Sequence, residues 1–254
     1  MLKSLLSSLF IFFISVYALS QNAKDNETRL KNGEDLNVLY RNEASGAIYA
    51  HTAIGFGLAY RRGWQVNVTR KRMFELELQN FKNPKEIKTV NSAGQGARGY
   101  FYGKLNSFFI FRPGIGFQNI LYQRSDKKSV EIRYSYFIGA TINFAKPVYL
   151  EVRNSQTDQN TTIERYDPNV DNQYNIVGKA PFQNGLDHTT IYPGGYAKFA
   201  LSFDYSNRYN GVKAIEVGAL VDIYPVGLPM MADNKYEQVF PQLYVKYVFG
   251  KKWF

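Results

Sequence analysis

The chain contains no cysteine and only two histidines, His51 and His188. The first absence excludes disulfides, although an exported chain could have used them, and it excludes the lipid-modified cysteine of a lipoprotein. The scarcity of histidine leaves few places for imidazole chemistry. No apolar run after residue 20 approaches the roughly 20 residues that a membrane-spanning helix needs, and helical signals are missing after residue 35. Two possibilities survive. Either the exported chain is soluble, or it crosses a membrane as a closed barrel, the one alternative to a helix that satisfies every backbone polar group in lipid.

What is present is aromatic and basic. The 254 residues include 20 tyrosines and 19 phenylalanines, with a formal net charge of +10, and the length allows one sizeable domain or two small ones. Short alternating runs punctuated by Gly, Asn and Pro point to an all-β protein. The first 20 residues read differently. Lys3, the apolar run from Leu5 to Leu19, and the small residues Ala18 and Ser20 have the layout of a secretory signal peptide. Residues 1–20 are therefore expected to be a cleaved leader, 21–35 a periplasmic segment, and 36–254 the folded domain.

In that domain apolar and polar residues alternate with a period of two, the mark of strands with two different faces. The stretch KSVEIRYSYFIGATINFAK sets Val130, Ile132, Tyr134, Tyr136, Ile138, Ala140, Ile142 and Phe144 against Glu131, Arg133, Ser135, Phe137, Gly139, Thr141 and Asn143. The same pattern recurs with Phe74, Leu76 and Leu78 against Glu75 and Glu77, and with Val239, Leu243, Val245, Tyr247 and Phe249 against Gln242, Tyr244 and Lys246. A soluble sandwich also alternates. Two features favour lipid: apolar faces of about 8 to 12 residues with aromatics at their ends, and polar faces studded with Gly, as the crowded inside of a small barrel requires.

Summed over the polar faces, the charges balance. The acids are Glu75, Glu77, Glu131, Asp204, Glu216 and Asp222; the bases are Arg41, Arg61, Arg112, Arg133, Lys198 and Lys246. Solvated faces in so basic a chain would show a basic excess, so neutrality points to mutual pairing inside a lumen. An unpaired charge there would cost several kcal/mol.

Eight strands are predicted, over 36–43, 47–61, 70–82, 101–123, 129–144, 195–206, 212–224 and 238–249, with a tight EASG turn joining the first two. An even count brings both termini to one side, and eight strands leave an interior filled by side chains. Short connections then fall on the periplasmic side and long ones, at 83–100, 145–194 and 225–237, outside.

The chemistry-bearing motifs are sparse. A lipid-modifying enzyme would need a nucleophile beside His51 or His188, and none has a motif around it; Ser107 falls on the apolar face. YDPNVDNQ places Asp167, Asn169 and Asp171 like the start of a calcium loop, but Asn172 and Gly178 stand where an EF-hand needs Gly and Glu. GFGLAY and GIGFQN open no helix, which rejects nucleotide binding. No cofactor or metal is expected. Arg62, Arg70, Lys71 and Arg72 flank one inferred periplasmic turn, Arg124, Lys127 and Lys128 another, and Lys251 and Lys252 close the chain. They would ring the inner leaflet, where lipid headgroup phosphates or an acidic partner could sit. The 50-residue connection 145–194 exceeds an ordinary loop and carries aromatics and prolines, so an ordered cap or docking element is expected. Leu228, Met230 and Met231 would place an apolar tip beside it.

From these strands to the terminal YVFGKKWF with its final Phe254, the chain resembles outer-membrane β-barrel proteins of Bacteroidota. RKRMFELELQNFKNPKEIK, YGKLNSFFIFRPGIGFQN, AKPVYLEV and IYPGGYAKFALSFDY carry the likeness to a particular family in that group. The resemblance implies a bacterial outer-membrane location, and its terminal aromatic matches the signal such barrels present for assembly; it implies no activity. The expectation is an all-β, eight-stranded antiparallel transmembrane β-barrel with long extracellular loops. Its role would be non-enzymatic, as a structural or accessory subunit of a larger outer-membrane assembly, secretion or uptake complex. Its partners would be outer-membrane lipids and other outer-membrane proteins, with no nucleic acid. The alternatives are a lipid-modifying enzyme and a small pore or ligand-binding barrel.

Overall fold

The computed structural model describes residues 41–90, 98–123, 129–153, 161–206, 211–232 and 235–254. The expected leader, the 21–35 segment, and Arg124, Lys127 and Lys128 lie outside the described residues. Two units are distinguished: residues 1–41 with 253–254, and Asn42–Lys252. Among the described residues there is no helix. The strands are β1 (Asn42–His51), β2 (Gly55–Gln65), β3 (Arg70–Phe81), β4 (Lys88–Thr89), β5 (Tyr100–Phe101), β6 (Asn106–Tyr122), β7 (Glu131–Pro147), β8 (Tyr149–Val152), β9 (Thr162–Arg165), β10 (Ile176–Lys179), β11 (Thr190–Asp204), β12 (Gly211–Leu228) and β13 (Glu237–Trp253).

Eight of them close a barrel in the order β1-β13-β12-β11-β7-β6-β3-β2. Closure leaves no sheet edge, and the two chemical faces of each strand become an inside and an outside. Register follows from the interior charges. Arg61 stands opposite Glu75, Glu77 opposite Arg112, and Glu216 opposite Lys246. A slip of one residue would turn every such pair onto the apolar exterior.

The interior glycines have a packing reason. A Cβ built on Gly57 would sit 2.1 Å from Tyr49 Cζ, and one on Gly114 would sit 2.0 Å from Tyr196 Oη. Each tyrosine ring lies along the inner wall over neighbouring strands, which it can do only because those strands carry no side chain there.

Connections at 66–69, 123–130 and 205–210 share one end of the barrel, the turn end. Those at 52–54, 82–105, 148–189 and 229–236 share the other, the loop end. At the loop end β8, β9 and β10 form a separate sheet in the order β10-β8-β9, and β4 pairs with β5. Tyr100, Leu150, Val152, Tyr166 and Ile176 build a small core of their own there. The described part of the long connection, expected as an ordered cap or docking element, is a folded lobe, joined to the 82–105 connection where Lys179 N donates to Arg98 O at 3.1 Å.

The start of the barrel differs from the sequence expectation. EASG is not a turn: Glu43–Gly46 lie within β1 and pair with Tyr60–Gly63 of β2. Its small residues are there for packing, since a Cβ on Gly46 would come within 3.1 Å of the Phe249 ring. The real hairpin turn is Thr52–Ile54, which contains no Gly, Pro, Asn or Asp. Ile54 occupies the left-handed position at φ 47°, a conformation that costs a β-branched residue about 1–2 kcal/mol. Asn tolerates that region. Replacing Ile54 by Asn is therefore expected to stabilise the barrel by about 1 kcal/mol, read as a higher urea midpoint in detergent; a lower midpoint would show that Ile54 is held by contacts worth more than the strain.

Candidate functional site

The interior of the Asn42–Lys252 unit is built from charge. In its middle, Arg61 donates Nε to Glu75 at 2.7 Å and grips Glu216 with both terminal nitrogens at 2.5 and 2.6 Å. Arg112 holds both oxygens of Asp222 through Nε and one terminal nitrogen, at 2.7 and 2.5 Å. Both are fork-to-carboxylate contacts, the strongest geometry open to arginine. Lys246 reaches Glu75 and Glu77 at 2.9 and 2.7 Å, and Lys198 reaches Glu77 at 2.7 Å and Glu75 as well. Tyr244 donates to Glu216 at 2.9 Å and Gln242 to Asp222 at 3.0 Å. Rings complete the plug, with Lys198 4.5 Å from the Phe137 centroid and Lys246 4.8 Å from that of Tyr49.

A second cluster lies toward the turn end. Arg133 pairs with Glu131 and, at 2.9 Å, with Asp204; Lys71 pairs with Glu43 at 2.5 Å; Lys252 stands 4.0 Å from Asp204. Over both clusters seven acids face seven bases.

Eleven of the twelve charges expected inside are in these clusters. Arg41 is not: it precedes β1 and is exposed. Lys71 is a second correction. It is buried and ion-paired, because odd positions of β3 face inward and only Arg70 and Arg72 remain of that basic run on the outer side. Glu43 and Lys252 were missed. Their parity along β1 and β13 would have found them had the strand limits been right.

The exterior is the reverse. From Ala44 to Ala50, Phe56 to Tyr60, Phe74 to Leu78, Phe109 to Phe117, Ile132 to Phe144, Ile191 to Phe203, Ile215 to Ile223 and Val239 to Phe249, no outward position carries a charge. Phe56 is 78% exposed and Leu243 61%. Cations appear at the turn-end margin. Arg70 lies 4.0 Å from the Phe117 ring centroid and donates to the Tyr136 hydroxyl at 3.0 Å; Arg62 is half-buried, while Arg72 and Lys213 are exposed.

At the loop end the apolar tip is a third correction. Leu228, Met230 and Met231 are buried, packed with Phe81, Phe108, Tyr224 and Phe240. They close the mouth of the barrel and are not free to contact a partner. The sequence places them in a connection, but interior rings on two pairs of neighbouring strands, β3 with β6 and β12 with β13, give them a floor to bury against.

Among the described residues neither histidine meets a nucleophile. His51 is buried, with Nε2 3.1 Å from the Asn80 carbonyl. His188 is exposed beside Asp187, at 3.0 Å, a hydrogen bond that holds the Asp187 carboxyl below its usual range. Asp167 and Asp171 accept from the backbone of their own turn, at 2.9 Å from Asn169 N and 2.8 Å from Asp167 N. Those carboxylate oxygens cap a turn. Among the described residues no three acidic or histidine side chains gather as a metal site.

No protein-family model and no curated protein matches the chain. Among solved structures it is similar to Ail, the attachment invasion locus protein of Yersinia pestis, in complex with the heparin analogue sucrose octasulfate. The identity is 8%, over 85% of this chain and 100% of that one, with a TM-score of 0.43. It is also similar to Neisserial surface protein A, at 11% identity over 84% of this chain and 97% of that one, with a TM-score of 0.37. At these values the barrel is read from the chain's own strand pairing, and function from its own residues.

The lumen pairs make a clear mutational prediction. Arg112→Met strands the Asp222 carboxylate in a dry interior and is expected to cost about 3–5 kcal/mol, whereas Arg112→Met with Asp222→Leu removes both charges and recovers most of that loss. Urea unfolding in detergent reads both; equal losses for the single and double variants would mean that these charges are solvated.

Proposed function

We propose that this protein is a bacterial outer-membrane β-barrel that spans the bilayer as a closed, non-conducting wall and holds a loop lobe outside it as a docking element. One observation carries the reading: the same eight strands bury a neutral set of charges and expose an uncharged apolar belt. So large an apolar surface on a monomer marks contact with lipid or protein, and here it runs around the barrel. Its height suits lipid. From Ser107 to Asn119 the outer face of β6 rises roughly 30 Å, at ~3.4 Å per residue and a tilt of about 40°, which matches a bilayer core. The cations at the turn-end margin suit headgroup phosphates.

Residues 1–20 serve as the export leader in this reading, and the likeness of the strand texts to Bacteroidota outer-membrane barrels supports a place in that group. The turn end then faces the periplasm. A lumen filled by paired side chains supports a structural role over a pore, and histidines without nucleophiles support a non-enzymatic one. The lobe supports the role of accessory subunit. It has its own core, and between β9 and β10 it exposes Val170 and Tyr174, apolar side chains available to another outer-membrane protein.

Two measurements test this. In planar bilayers the purified protein is expected to give no steady conductance; stable open channels would contradict the plugged lumen. Mild-detergent extraction through a tag is expected to bring down a stoichiometric outer-membrane partner, which Val170→Asp with Tyr174→Asp releases without lowering barrel abundance. A lone barrel recovered from wild type would contradict the accessory role.

A further inference from the structure

Lys146 departs from the rule that governs every other buried lysine among the described residues. Lys71, Lys104, Lys198 and Lys246 are each buried and each paired with a carboxylate. Lys146 is as buried as Lys71 and Lys104, at 7% exposure, and has no carboxylate partner among the described residues. Its ammonium lies 4.9 Å from the centroid of the Phe182 ring, and the charge that acts on it is a second cation, Lys179. A ring face offsets only part of the cost of withdrawing an ammonium from water.

Its place on the wall indicates what is missing. Even positions of β7 face outward, and Lys146 is the last of them. It stands opposite Ser107, one outward rung beyond the pair Phe109 and Phe144. Phe182 from the lobe meets Phe109 edge-on at 6.3 Å, so the loop folds down over the outside of the strand. The lysine thus sits where the apolar belt ends in aromatic rings, on the lipid side, at the loop end. That is the depth of outer-leaflet headgroups. A merely solvated lysine would extend into water with its head free of the wall; this one is folded beneath a ring, with Lys179 adding positive charge and no acid among the described residues neutralising it.

We infer that Lys146, with Lys179 and the Phe109–Phe182 pair, forms a binding site for the phosphate of an outer-leaflet lipid headgroup. The phosphate would give the buried ammonium its counter-ion while the lipid chains lie along Phe109 and Phe144. The inference rests on the membrane-spanning reading above.

The test uses the full-length protein refolded into phosphatidylcholine vesicles doped with phosphatidic acid, whose headgroup is a phosphate monoester. Flotation with the vesicles and heat-modifiable gel mobility report insertion and folding. Retained lipid is then counted by native mass spectrometry after detergent extraction. Wild type is expected to retain phosphatidic acid selectively, Lys146→Met to lose it by about tenfold, Lys146→Arg to keep it, and Lys213→Met, at the opposite margin, to leave it unchanged. Inserted, folded Lys146→Met with wild-type retention would overturn the site and leave the membrane reading standing. Displacement of the lipid by millimolar inorganic phosphate would overturn it too, in favour of a free-anion site. A wild-type chain that fails to insert would overturn the membrane reading itself.

Discussion

Mutual neutralisation of charge inside a closed wall is the constraint on which the rest of this structure depends. Each interior carboxylate is expensive alone, and all but Glu131, which pairs with Arg133 of its own strand, are brought within reach of a cation from another strand. Arg61 on β2 and Arg112 on β6 both cross the lumen to carboxylates on β12, so the braces tie strands that are not neighbours in the sheet. This couples register to closure. A shifted strand would leave several buried charges without partners at once, and that penalty exceeds anything its apolar face could recover. The net charge of the chain therefore falls to the exterior margins and loops, where water or headgroups can solvate it.

The same economy explains the interior glycines and rings. Long basic side chains need room at some levels and a dry lining at others. Tyr49, Phe137 and Tyr244 lie flat against facing glycines and present ring faces to Lys246 and Lys198. The plug is consequently a packed solid, closed at the loop end by the Met230 and Met231 cluster. The proposed function accordingly lies on the outside of the wall and on the lobe.

Much of this was legible in the period of two. Parity alone assigned inside and outside for Glu75, Glu77, Arg112, Lys198, Glu216, Asp222 and Lys246, because strands of this length carry the alternation over many residues. The errors have local physical causes. The Thr52–Ile54 turn carries no turn residue, and EASG imitates one, which displaced the first strand and moved Arg41 inside in place of Glu43. Lys71 was grouped with its basic neighbours where parity would have separated it from them. Leu228, Met230 and Met231 read as an exposed tip because half of the floor beneath them, Phe81 and Phe108, comes from residues more than a hundred positions away. The lobe's small sheet rests on four-residue strands, too short for any alternation to show, and Lys146 stands out only once its neighbours in space are known.

The most direct measurement exploits the absence of native cysteine. Single cysteines placed along β13 from Val239 to Phe249, spin-labelled and reconstituted in bilayers, report collision with oxygen, which concentrates in lipid, and with a water-soluble nickel complex. A lipid-facing wall around a closed lumen predicts high oxygen and low nickel accessibility at positions 239, 243, 245, 247 and 249, and immobile labels shielded from both at 242, 244 and 248. Nickel access at the odd positions would place the apolar belt in water or under a protein partner, and nickel access at the even positions would open the lumen; either would contradict the sealed transmembrane barrel proposed above.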